Sequence, residues 1–119
     1  MAVMAVVFPI QPGMKGEWRE FMSELNGARR AEFVDSRERA GVRERTFLQA
    51  IPMADVVVVT LEGDDPARSF AQIVRTRSPF MKWFKERALA IHGVDITAPI
   101  AAPPSELVAD TGKVPVLTS

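Results

Sequence analysis

Histidine occurs once in this chain, at His92, and cysteine does not occur at all. An imidazole titrates near neutrality, so His92 is a candidate general base or haem ligand. Without thiolates there is no disulfide framework and no sulfur nucleophile. One histidine and no cysteine argue against a multi-ligand transition-metal site. His92 also falls at the expected C-terminal end of a helix, where the dipole favours a cation and a carbonyl lies nearby. The commoner use of a histidine placed there is structural.

Glu44 is the second candidate catalytic group. It stands between Arg43 and Arg45 on an expected strand. Facing solvent, it belongs to a cross-strand charge ladder, the usual place for such a residue. Facing inward, it requires a cation, for which Arg75, Arg77, Lys82 and His92 are the candidates. An inward Glu44 beside His92 is the best acid/base pair this sequence offers. Trp18, Phe21, Trp83 and Phe84 are candidate walls of a ligand pocket. Aromatic stripes at helical spacing more often form core, but the space between helices and sheet is where a ligand sits in such an architecture. No Gly-rich phosphate loop, G-x-S-x-G or H-E-x-x-H is present. The alternating charges from Arg29 to Arg39 read as a solvated helix face laced with ion pairs, and Asp64-Asp65 as a cap rather than a metal site.

The elements that must position these groups follow from periodicity. Ala2 to Ile10 is an apolar, Val-rich run without alternation, a strand covered on both faces, and Pro12-Gly13 stops it. Trp18, Phe21, Met22 and Leu25 fall on one helical stripe. Asn26-Gly27 interrupts that helix, and a second part, Ala28 to Ala40, ends at Gly41 in a left-handed cap. Val42 to Ile51 is a second strand, and Val56 to Leu61 (VVVVTL) a third, paired with it as an antiparallel hairpin across Pro52 to Asp55. Asp64-Asp65-Pro66 starts a helix with Phe70, Ile73 and Val74 inward. Ser78-Pro79 starts another, carrying Phe80, Trp83, Phe84, Ala88 and Ile91 and ending at Gly93. The tail from Thr97 contains Pro99, Pro103, Pro104 and Pro115 and is expected to be extended, with Glu106 to Ala109 as a short edge strand.

The order strand, helix, strand, strand, helix, with an optional final strand, gives an α+β, ferredoxin-like βαββα(β) expectation, a dimeric α/β barrel with an antiparallel sheet: one domain over residues 1–110, then an extended or disordered tail over 111–119. At 119 residues and 47% apolar composition the chain has enough for one core. Fifteen basic residues balance fifteen acidic ones, which argues against nucleic acid as a partner. The apolar N-terminal run lacks a basic leader and is too short to span a bilayer. No membrane partner and a cytoplasmic location are therefore expected, in keeping with the missing cysteine. Because the first and third strands are apolar on both sides, one sheet face needs a cover beyond the helices, and a second copy in isologous contact supplies it.

The element order resembles the dimeric α/β-barrel superfamily over most of residues 2–110. A narrower likeness, to small uncharacterised members, rests on Arg39-Ala40-Gly41-Val42-Arg43-Glu44 leading into Thr46-Phe47-Leu48, and on Ser78-Pro79-Phe80-Met81-Lys82-Trp83-Phe84 leading to His92-Gly93-Val94-Asp95. The resemblance implies a ferredoxin-like protomer and a homodimer, and no particular reaction. Two functions are open at this point. One is a homodimeric module holding a small apolar ligand, or none, between helices and sheet, with no cofactor. The alternative is a small cofactor-free or haem-dependent monooxygenase-like enzyme of the same superfamily. Fold alone does not choose between them. For the enzyme, Trp18 or Trp83 with Asn26 and His92 would have to assemble, and no tyrosine is available.

Overall fold

The computed structural model describes residues 1–97 and 105–112. Its elements run β1 (Ala2–Pro9), α1 (Lys15–Asn26), α2 (Arg30–Ala40), β2 (Val42–Ile51), β3 (Ala54–Gly63), α3 (Pro66–Arg75) and α4 (Pro79–His92). Among the described residues the strands form one antiparallel sheet in the order β1-β3-β2. The result is a small α+β domain consistent with a ferredoxin-like fold.

Local chemistry explains the element ends. Asp65 caps α3 by accepting from the Arg68 amide, and Ser78 caps α4 by accepting from the Met81 amide, each with Pro at the first helical position. Gly41 (φ 75°) closes α2 in the left-handed region that side chains disfavour. Gly63, at the far end of β3, lies so close to the Gly41 carbonyl that a Cβ has no room there. The β2–β3 turn is tighter than the sequence suggests. Ile51 pairs with Ala54, so β3 begins at Ala54 and only Pro52-Met53 connects the strands.

One sheet face carries Met4, Val6, Phe8, Val57 and Leu61, all buried against helix residues such as Phe21, Leu25, Ile73, Met81 and Ile91. The opposite face carries Val3, Val7, Val58 and Phe47, with Val7, Val58 and Phe47 in one cross-strand row. Of these, Val3, Val7 and Phe47 are 46%, 49% and 51% exposed.

The tail departs from expectation in part. Ser105 donates its amide to the Ala5 carbonyl at 2.8 Å, which brings the chain back to β1. Residues 105–112 nevertheless form no strand, so the expected edge strand at Glu106 to Ala109 is absent. Of the expected tail over 111–119, residues 113–119 lie outside the described residues, as do 98–104. Among the described residues no helix is long and apolar enough to cross a membrane.

Candidate functional site

A cavity of about 60 Å³ lies between the helices and the inner sheet face. That is several times the ~10–15 Å³ that admits one water molecule. Trp18 and Phe21 from α1, Phe84 from α4 and Phe8 from β1 give it aromatic walls. Three of the four expected wall residues are therefore present. Trp83 is the exception. It stands outside the lining, with the Arg29 guanidinium 4.1 Å from its ring centre and the Phe21 ring centre at 5.3 Å in a T-shaped contact.

Glu44 reaches the cavity because strand alternation points Val42, Glu44, Thr46 and Leu48 the same way, and the buried Val42 fixes that side as inward. Its carboxylate is buried and accepts from Arg37 Nε at 2.8 Å, the two side chains being only 8% and 7% exposed. None of the four cations considered from the sequence takes this role. Arg37 belongs to the segment expected to be a solvated face. Asp35 and Arg39 do form an exposed pair at 2.7 Å, as that reading requires, whereas Arg37 turns inward. Its Nη1 donates to Ser36 Oγ at 2.9 Å and lies 3.5 Å from Met81 Sδ. The guanidinium also stacks 4.9 Å from the Phe33 ring centre and 4.8 Å from that of Phe84. The signal for it was spacing. Phe33, Arg37 and Ala40 fall at i, i+4 and i+7, one stripe of α2.

His92 closes α4 and lines the other end of the cavity. Its Nδ1 is 2.8 Å from the Pro9 carbonyl. A carbonyl only accepts, so Nδ1 carries the proton and donates, which leaves Nε2 as the basic nitrogen of a neutral ring. Burial pushes the His92 pKa below its usual value, and the bond to Pro9 acts in the opposite direction but is the smaller effect. The expected cationic cap is thus a neutral strut joining α4 to the end of β1. Gln11 strengthens the same joint by donating its amide to Ile91 O at 3.0 Å and its side chain to Ala90 O at 2.9 Å. His92 and Glu44 line one cavity, and each has its own partner rather than the other.

One polar atom on the cavity wall has no partner. Trp18 is 6% exposed, and its Nε1–H makes no hydrogen bond. A buried donor left unmade costs about 1–3 kcal/mol, so Trp18 is a strained polar feature among the residues of the wall.

The site does not suit a haem. Cofactor pockets run to roughly 300–1,000 Å³, far above the volume here. Among the described residues no three His, Asp or Glu side chains are placed to hold a metal ion. Asp65 serves as the helix cap its sequence context suggests. No model of a known protein family matches the chain, and no curated protein matches it.

Proposed function

We propose that the protein is a homodimeric binding module of the dimeric α/β-barrel kind, in which a second copy covers the outer sheet face and the helix–sheet cavity holds a small apolar molecule. The observation that carries this reading is the outer face, which has no apolar cover among the described residues. Val3 and Val7 on the outer side of β1 and Phe47 on that of β2 expose about half their surface, and Val58 of β3 lies between the latter two. An uncovered apolar sheet of this extent marks an interaction surface. The same face carries Arg43, Arg45 and Glu62, with Arg43 and Glu62 opposite each other in register. Both charge signs on one patch suit a two-fold contact, in which each copy presents the complement of what it receives.

The cavity supports the second half of the reading. Its walls are mostly apolar, and its buried ion pair is internally neutral, so the site favours an apolar guest over a free ion. Light scattering on the eluting peak of a sizing column tests the assembly. Twice the 13.1 kDa chain mass is expected at micromolar concentration, and a monomer there overturns the dimer.

The neutral His92 gives one observation in favour of the enzymatic alternative in its cofactor-free form. An imidazole with Nδ1–H fixed by Pro9 presents Nε2 as a base at neutral pH. If that chemistry operates, His92→Gln abolishes turnover of any substrate found while leaving its binding intact.

A further inference from the structure

The cavity has a doorway. An open cleft of about 460 Å³ runs between α1, the start of α2 and β2. Trp18, Met22, Leu25, Glu44 and Thr46 line both this cleft and the inner cavity. The two spaces therefore adjoin through side chains they share, among them the Trp18 indole. The character of the walls changes along this path. Inside stand Phe8, Phe21 and Phe84, and outside stand Arg19, Arg30, Ser23 and Asn26.

The rim charges are uncommitted. Arg19 and Arg30 are exposed and make no ion pair among the described residues, unlike Arg29, which pairs with Glu24 at 3.1 Å. The one carboxylate lining the cleft is Glu44, and Arg37 already neutralises it. The mouth is thus net cationic, the depth apolar, and the Trp18 ring stands at the boundary.

We infer that the guest of this cavity is a small amphipathic organic anion, taken in through the α1–β2 cleft. Its alkyl or aryl end enters between Phe21, Phe84 and Phe8. Its carboxylate, or an equivalent anionic head, stays at the mouth, where Arg19 and Arg30 attract it beside the Trp18 ring. Arginine suits this role because its planar fork matches a carboxylate. The inference rests on the cavity reading above and adds the charge and orientation of the guest.

Hexanoate and hexanamide, equal in size and differing in charge, separate the two claims. In a ¹⁵N-labelled protein the two tryptophans give two indole N–H signals, of which Trp18 reports the doorway and Trp83 serves as the control outside the cavity lining. Hexanoate should shift the Trp18 signal and bind about tenfold more tightly than hexanamide, the scale of a charge-assisted contact at a partly exposed site. The Arg19→Gln/Arg30→Gln double variant, altered only at exposed positions, should reduce hexanoate to the affinity of hexanamide. Equal binding of the two probes to the unaltered protein overturns the anionic guest and leaves the apolar cavity standing. No movement of the Trp18 signal with either probe overturns both.

Discussion

At two positions of β2 the two faces of the sheet depart from the usual allocation of charge and apolar surface. On the inner face, under four helices, β2 buries a carboxylate, Glu44, and α2 sends an arginine to meet it. On the outer face the same strand exposes Phe47 beside Val7 and Val58. A lone folded chain gains nothing from exposing Phe47 while it buries Glu44. The pattern makes sense if each face has a second function, an apolar contact outside and a polar feature in a binding cavity inside. The difference teaches that hydropathy along β2 reports what each face meets, not simply which face is the core.

The comparison breaks most sharply at neighbouring positions of β3. Val57 is 2% exposed on the inner face, and Val57→Asp places an unpaired carboxylate in the core. The effective cost of several kcal/mol per buried ion is a large share of the ~5–15 kcal/mol that holds a domain together. Loss of the cooperative thermal transition by circular dichroism is the expected result, and a normal melt would place Val57 elsewhere.

Next in size is the buried pair. Arg37→Ala or Glu44→Ala strands one charge and should destabilise the fold by about 3–5 kcal/mol in urea titrations. The double replacement Arg37→Met/Glu44→Leu should recover most of that loss. If either single variant costs less than about 1 kcal/mol, the pair is effectively solvated and the inner face is not what separates the two sides.

Smaller effects sharpen the account of the cavity. Trp18→Phe removes apolar surface together with an N–H that has no partner, and the two changes oppose each other. A net change within about 1 kcal/mol is expected, well short of the ~3–5 kcal/mol typical of emptying a buried aromatic site. A loss of that larger size would mean that the indole N–H is satisfied in solution.

The smallest effect concerns pH. Burial holds the His92 pKa below its usual 6.5. As pH falls through about 6.5 the unfolded chain takes up a proton that the folded chain accepts only at lower pH, so the unfolded state gains. Stability should decline from about pH 6.5 downward and level off below the native value. His92→Gln should remove that part of the slope, and an unchanged slope would assign it to other groups.

Most of the fold was legible because its punctuation is local. Asp65-Pro66, Ser78-Pro79, Gly41 and Gly93 mark helix ends through caps and left-handed turns that depend on a few neighbouring residues. The site was less legible. Trp18, Phe21 and Phe84 could be read from helical spacing, but Trp83 shares that stripe and still faces Arg29. Which way Glu44 points depends on β2's phase, and the apolar Val42, Phe47 and Leu48 do not share one parity. Arg37 hid in a charged run whose neighbours are exposed. Its inward turn depends on Glu44, Phe33, Phe84 and Met81, which only the folded chain assembles around it.

The claim that the outer face is covered by a second copy is tested most directly by Val58→Asp, measured by circular dichroism and sedimentation together. Val58 sits between Val7 and Phe47 on that face and away from the core. The account predicts a protein with native secondary structure and a cooperative melt that sediments as a monomer, beside an unaltered protein that sediments as a dimer. A Val58→Asp protein that is fully folded and still dimeric would contradict it.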